Sequence, residues 1–147
     1  DLALRWAAKL ATQAGIPLHV MRSWVISSAP RPDTWSPGYA PPLKDFEAAV
    51  LQSLQHDVRR CGLDESGARP HVHVVHGAPG RRLVEATARA DMLVVSKRGR
   101  GGFMGLVLGS TTDQVVRHAH CPVVVVPPSE HDHGPGDVDA LAHSSSD

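Results

Sequence analysis

The chain of 147 residues has few aromatic residues, two cysteines and no net charge. Aromatic residues make up 4% of it, so the core must consist of aliphatic side chains, mostly Val, Leu and Ala. Lys and Arg together number 15, and Asp and Glu together also number 15. This balance argues against a general nucleic-acid-binding protein, which carries an excess of basic residues. Cys61 and Cys121 cannot form a disulfide framework, which fits a reducing compartment and predicts a cytoplasmic protein.

Long hydrophobic runs are absent as well. The longest aliphatic run, Val123 to Val126, is far short of the roughly 20 residues that a membrane-spanning helix needs, so no membrane partner is expected. Arg5, Lys9 and Gln13 interrupt the N-terminal segment, which therefore lacks the apolar stretch of a signal peptide. Residue 1 is Asp and not Met, and a fragment, a processed form and a misassigned start are the alternatives.

The hydrophobic pattern alternates between helical and strand periodicity. Helices are predicted at 2–14, 44–61, 79–90 and 111–119, and strands at 17–25, 71–77, 92–96 and 122–127. The strand at 92–96 is short and apolar enough to be buried on both faces, and the proline-rich segment 27–43 predicts a surface loop. This alternation predicts right-handed crossovers, a parallel sheet and a three-layer α/β fold.

The chain changes character at its C-terminal end. Residues 1–128 are predicted to form one domain, and residues 129–147, which have no sustained apolar period, a disordered polar tail. Histidines recur in the tail, near the end of the last helix and at 71 and 73. Those in the tail are expected to be solvated, those near the helix end interact favourably with the helix dipole, and those at 71 and 73 lie on an exposed strand face. Neither a metal site nor a catalytic role is therefore predicted for these histidines.

The segment SKRGRGGFMGLVLGSTTDQV, residues 96–115, follows a predicted strand and leads into a predicted helix. Its five glycines permit a close backbone approach, and successive N–H groups in such a loop form an anion-binding nest at the carboxyl edge of a parallel sheet. Lys97, Arg98 and Arg100 add positive charge. Ser110 is predicted to cap the next helix, with Asp113 at capping-box spacing. A phosphate site and an ordinary strand-to-helix connection are the two interpretations.

Standard phosphate motifs do not fit this loop. A Walker A loop requires Gly-Lys-Ser/Thr, whereas the loop ends in LGST, and the Rossmann spacing G-x-G-x-x-G from Gly99 and Gly101 meets Met104 at its last position. The spacing from Gly99 to Gly109-Ser110 instead resembles the nucleotide loop of the universal stress protein family, G-x2-G-x9-G-[ST]. The segments ALRWAAKLA, PLHV, HGAPGRRLVEAT and LGSTTDQVVRHAHCPVVVVP are similar to the family too, and the resemblance covers residues 2–128.

The resemblance implies a fold, a ligand and a site. The fold is a Rossmann-like, adenine nucleotide alpha hydrolase-like open parallel sheet with the strand order 3-2-1-4-5. Strand 1 of the family, which lies at the centre of that order and ends in an adenine-binding Asp, is missing from this chain. The ligand is ATP, with no metal other than nucleotide-associated Mg. The residues implied in binding are Val20 against the adenine and, in the loop, Ser96, Gly99, Gly109, Ser110, Thr111 and Thr112.

One of these positions departs from the family pattern. Ser96 stands where the first glycine is expected, and its Cβ crowds a nucleotide whereas its hydroxyl offers a donor to phosphate. The resemblance implies an ATP-binding stress-response regulator that is not a dedicated enzyme. Slow ATP hydrolysis stays open, although no residue is a convincing general base. The alternatives are a dimeric interaction module that binds no nucleotide and an ATP-dependent enzyme of the related pyrophosphatase type. A homodimer through strand 122–127 is predicted, because this apolar, β-branched strand lies at the expected sheet edge.

Overall fold

The structure is a computed structural model that describes residues 2–63, 67–97 and 108–128. Helices and strands alternate through these residues, as the sequence pattern predicts, with boundaries within three residues of the predicted ones. The elements are α1 (Leu2–Ala14), β1 (His19–Trp24), α2 (Leu43–Arg60), β2 (His71–His76), α3 (Pro79–Thr87), β3 (Leu93–Ser96), α4 (Ser110–His118) and β4 (Val123–Val126). No helix in the described part of the chain is both long and apolar enough to span a membrane.

The strands form two separate parallel pairs. In one pair β1 lies beside β2, with His19 opposite His71, and in the other β3 lies beside β4, with Leu93 opposite Val123. No strand in the described ranges joins the two pairs. Helices bridge them instead, since α1 contacts β3 and β4 while its Ala8 belongs to the same apolar cluster as Val20 of β1. Helix packing, and no ladder hydrogen bond between described strands, therefore connects the two pairs.

The apolar stripe on α2 is the one that its sequence predicts. Phe46, Val50, Leu54 and Val58 recur every four residues, and all four are buried against the β1–β2 pair and its surroundings. Cys61, which follows the helix, is buried in the same core. The aliphatic character expected from the composition therefore describes most of this core.

The predicted face of α1 is partly wrong. Ala3, Ala7, Leu10, Ala11 and Ala14 recur at spacings of three and four, which predicts one apolar face. Ala11 is buried and Ala3, Ala7 and Leu10 are half-buried, which agrees with this face. Ala14 is exposed, and the buried Ala8 lies outside the predicted set. Alanine occurs on several sides of this helix, so its pattern defines a direction poorly. Packing of Ala8 into the cluster that holds Val20 sets the direction instead.

The prediction that strand 92–96 is buried on both faces is also wrong. Leu93, Val94 and Val95 are half-buried, Ser96 is exposed, and all four residues of β4 are half-buried. Each of these strands is paired along one edge alone in the described structure. The second edge and the side chains near it therefore keep access to solvent.

A salt bridge fixes β1 to α2 beside the apolar core. The guanidinium of Arg22 donates to the Asp57 carboxylate at 2.7 Å and to the Ser53 hydroxyl at 3.2 Å. Asp57 is buried, and the Arg22 side chain is 29% exposed. The pairing compensates the buried Asp57 carboxylate for the water that it loses on folding, which would otherwise destabilise the fold.

Replacing Asp57 by Ala removes this partner of Arg22. Breaking a fully buried pair costs about 3–5 kcal/mol, and because Arg22 is partly exposed we expect a loss of about 2 kcal/mol in the free energy of unfolding. Urea denaturation measures it. Asp45→Ala, which removes an exposed hydrogen bond to Thr34, is the matched control and should cost less than about 1 kcal/mol. Equal losses in the two variants would contradict a stabilising role for the Arg22–Asp57 pair.

Candidate functional site

Two hydrogen bonds hold the start of α4 at the carboxyl end of β3, and a third joins that strand end to β4. The Thr112 hydroxyl donates to the carbonyl oxygen of Ser96 at 2.8 Å. The backbone N–H of Gly109 donates to the carbonyl of Lys97 at 3.0 Å, and that of Lys97 to the carbonyl of Val126 at 2.8 Å. We call the bonds from Thr112 and Gly109 the loop clasp. They join the two ends of the glycine-rich loop and fix the helix N-terminus beside the strand end.

The N-cap of α4 is Gly109, so the prediction that Ser110 caps the helix is wrong. Gly109 has extended backbone angles, no side chain caps the helix, and Ser110 is already its first residue. The bond between Gly109 and Lys97 sets the helix start at that residue. The Asp113 side chain accepts a hydrogen bond from Arg117 at 2.9 Å instead of capping, and this bond raises the pKa of Arg117. The first turn of α4 thus presents backbone N–H groups that no side chain caps, as an anion site requires.

The structure brings most of the described candidate residues together. Gly109, Ser110 and Thr111 form the start of α4, and Ser96 lies next to them through its bond with Thr112. Thr112 is 4% exposed, so its side chain positions the helix and is not available to a ligand. Gly99, Arg98, Arg100 and the other loop glycines before Gly109 lie outside the described residues.

Ser96 occupies its position without backbone strain. It is the last residue of β3, and among the described residues other than glycine only Arg69 has a positive φ. The serine therefore does not force an unfavourable backbone conformation at the start of the loop. Its side chain is exposed at the carboxyl edge, where both the crowding and the hydrogen-bonding interpretations apply.

Val20 lies away from this site. It is the second residue of β1, is 5% exposed and packs in the core cluster with Ala8 and Leu54. Ligands of open parallel sheets lie beyond the carboxyl ends of the strands, and β1 ends four residues later at Trp24. The position of Val20 does not favour the adenine contact that the resemblance implies, and that contact stays a prediction.

The carboxyl end of the β1–β2 pair holds residues that the sequence analysis did not single out. Trp24 ends β1, its ring lies 4.7 Å from that of His76, and its carbonyl accepts the N–H of Gly77 at 2.8 Å. The Nε1 of Trp24 is buried without a partner in the described structure. Arg82 donates to the carbonyl of His76 at 3.0 Å and places a cation at this edge. In the sequence, these residues could have been found from Trp24 at the end of one predicted strand and from His76-Gly77 at the end of the next.

Glu85 and Cys121 have pKa values that their surroundings shift in a known direction. Hydrogen bonds from Arg82 and then from Arg81 hold the pKa of Glu85 below its usual range, so it is a carboxylate paired with arginines at neutral pH. Burial raises the pKa of the Cys121 thiol, which weakens it as a nucleophile. Among the described residues, no three His, Cys, Asp or Glu side chains are arranged to hold a metal ion.

These features define a class of protein. A parallel α/β domain that presents uncapped helix N–H groups beside the end of a strand belongs to the Rossmann-like folds. The sequence profile of the Universal stress protein family matches residues 1–127. The chain therefore belongs to the universal stress protein family.

Relatives support the same assignment. Over 131 residues the chain is 30% identical to universal stress protein Rv2623 of Mycobacterium tuberculosis, a match that covers 86% of this chain and 43% of the relative. A universal stress protein of Mycolicibacterium smegmatis is 31% identical over 137 residues, with 86% and 43% covered. The chain thus spans less than half the length of these curated relatives.

Solved structures show the same fold. UspA from Lactobacillus plantarum superposes with a TM-score of 0.63 at 20% identity, covering 85% of this chain and 87% of the other. A universal stress protein in complex with cAMP gives 0.57 at 23% identity, with 86% of each chain covered. A family protein from Arabidopsis thaliana with AMP bound gives 0.54 at 18% identity, with 91% and 81% covered.

Replacing Thr112 by Val removes one bond of the loop clasp while keeping the shape of the side chain. The Ser96 carbonyl then loses its donor in a part-buried place, and we expect a loss of about 1–3 kcal/mol in unfolding free energy. Chemical denaturation measures it. Thr111→Val, one residue earlier in the same turn, is the control and should be nearly neutral. If both variants were equally stable, the clasp would not hold the helix in place.

Proposed function

We propose that this chain binds an adenine nucleotide, ATP, through the start of α4 and the end of β3, and that it acts as a stress-response regulator and not as a dedicated enzyme. The observation that carries the proposal is the loop clasp, which fixes an uncapped helix N-terminus at the carboxyl end of a parallel strand. Structural neighbours with cAMP and AMP bound support an adenine nucleotide. ATP in particular, and a cytoplasmic location, are parts of this proposal.

Each described group has a part in the proposed binding. The N–H groups of Ser110 and Thr111 point along the helix axis away from α4, where the helix dipole favours phosphate oxygens. The hydroxyls of Ser110 and Thr111 add donors, and Lys97 supplies a charge at the base of the loop. Magnesium would be bound by the nucleotide's own phosphates. A dedicated catalytic role is not part of this proposal, and slow ATP hydrolysis stays open.

The backbone N–H of Ser110 can be tested directly. Proline is favourable at the first helical position, and the extended backbone of Gly109 suits a residue before proline, so Ser110→Pro should preserve the fold while removing this donor. A hydrogen bond to a charged group is worth about 1.5–3 kcal/mol, so the Kd for ATP should rise about 10- to 100-fold.

Equilibrium binding of fluorescent ATP measures this Kd, and Ser110→Ala is the matched control. The alanine variant keeps the N–H and loses only the hydroxyl, which the proline variant lacks as well. The Kd of the proline variant should therefore exceed that of the alanine variant by about 10- to 100-fold. Equal Kd values for the proline and alanine variants would rule out a role for this N–H. Absence of ATP binding in the starting chain together with tight binding in Ser96→Gly would favour the alternative, a non-nucleotide interaction module.

We further propose that residues 1–128 form the domain, that residues 129–147 are a polar tail, and that the chain forms a homodimer through β4. The valines of β4 are half-buried, and β4 pairs with β3 along one edge in the described structure. An apolar, β-branched edge of this kind favours pairing with a second copy. The dimer would cover side chains that β4 otherwise leaves accessible.

Replacing Val124 by Lys places a charge in the middle of this edge. The variant should be monomeric in light scattering at concentrations where the starting chain is dimeric, because the lysine ammonium would lose its water in the interface. Val116→Lys, on the exposed surface of α4, controls for added charge alone. A starting chain that remains monomeric at high micromolar concentration would contradict the dimer.

A further inference from the structure

Three histidines lie together on an exposed face at the amino ends of β1 and β2, and we call them the histidine cluster. His19 is directly opposite His71, and His73 follows two residues later on the same face of β2. The His19 ring stacks on His71 at 4.9 Å and on His73 at 5.1 Å between centroids. The Nδ1 of His19 lies 2.9 Å from the Nε2 of His73. Neither the proposed nucleotide binding nor the core packing uses these side chains.

The contact between His19 and His73 depends on the protonation of the two rings. At 2.9 Å one ring nitrogen donates its N–H and the other accepts with its lone pair. A neutral imidazole has one donor and one acceptor, whereas an imidazolium carries N–H groups on both nitrogens and has no acceptor. The pair therefore keeps its hydrogen bond while at least one of the two rings is neutral. When both rings are protonated, two N–H groups face each other and two like charges repel.

We propose that the histidine cluster is an acid-sensitive contact of the β1–β2 pair. As the solution becomes mildly acidic, protonation of the three rings separates them and loosens the amino ends of the two strands. The pairing of the strands begins close to this point, because the backbone N–H of His71 donates to the carbonyl of Leu18 at 2.8 Å. The cluster thus gives the domain a stability that decreases between neutral and mildly acidic pH.

The pKa of His19 gives this dependence its sign. Desolvation by burial, and then the neighbouring imidazoles of His71 and His73, lower the pKa of His19 below its usual 6.5. In the unfolded chain these rings are apart, so His19 takes up its proton at a higher pH than it does in the folded chain. The stability that the neutral cluster contributes is therefore fully present above pH 6.5, and it is lost as the pH falls from there through the lowered pKa of His19.

Charged groups on the helices that pack against the strand pair are engaged in ion pairs of their own. α3 packs against β1, and its Arg81 and Arg82 both pair with Glu85. α2 covers the opposite face of the pair, where Arg22 pairs with Asp57. Both of these carboxylates are held by arginines, and the charges that act on the cluster are those of its own rings. Protons added to the cluster therefore meet like charge.

NMR titration of the imidazole signals of the full chain from pH 8 to pH 5 tests the electrostatic part of the proposal. His19 should titrate below its usual pKa of 6.5. In the double variant His71→Gln, His73→Gln the pKa of His19 should move upward, because glutamine is of similar size and carries no charge. An unchanged pKa of His19 in the double variant would overturn the proposal.

Urea denaturation at pH 7.5 and pH 5.5, without nucleotide, tests the effect on stability. The midpoint of the starting chain should fall with pH, and the double variant should lose no more than about half as much. His56→Gln, at an exposed position on α2, is the matched control and should lose as much as the starting chain. Should the double variant fail to fold, His19→Gln alone removes the shared contact and should reduce the loss in the same direction. Equal losses in the starting chain and in the cluster variant would contradict an acid-sensitive contact.

Discussion

The architecture depends on how the free edges of the strands are satisfied. Each of the four described strands pairs along one edge, and no described strand joins the two pairs. An unpaired buried backbone group costs about 1–3 kcal/mol, and a whole domain is stable by about 5–15 kcal/mol, so a few unsatisfied groups would decide whether the fold persists. The helices that bridge the pairs contribute packing but no ladder hydrogen bonds. The half-burial of β3 and β4 is a direct consequence of this open pairing.

The same constraint divides the candidate site into a local part and a distributed part. The loop clasp joins the end of β3 to the start of α4, so its geometry does not depend on the distance between the strand pairs. Trp24, His76 and Arg82 belong to the other pair or to α3. A nucleotide whose phosphates lie on α4 and whose base reaches β1 would depend on both. Phosphate affinity should therefore be a property of the clasp, and base selectivity a property of the assembled sheet.

The sequence predicted those features that repeat along the chain. The order of elements, the α2 stripe through Val50 and Leu54, and the alternation of His71 and His73 follow from periods of 3.6 and 2 and were confirmed. Features set by single tertiary contacts were not predictable in this way. The Gly109–Lys97 bond sets the N-cap of α4 at Gly109 and not at Ser110. Alanine-rich α1 lacked a pattern strong enough to define its face.

The two ends of the parallel strands differ for reasons of backbone direction. At the carboxyl end of β3 the chain turns into a helix, so N–H groups and a positive dipole end collect there and favour an anion. At the amino ends of β1 and β2 the described chain has no such helix start, and exposed side chains such as the stacked His19 and His71 lie there instead. Backbone direction therefore decides which edge of the sheet favours an anion.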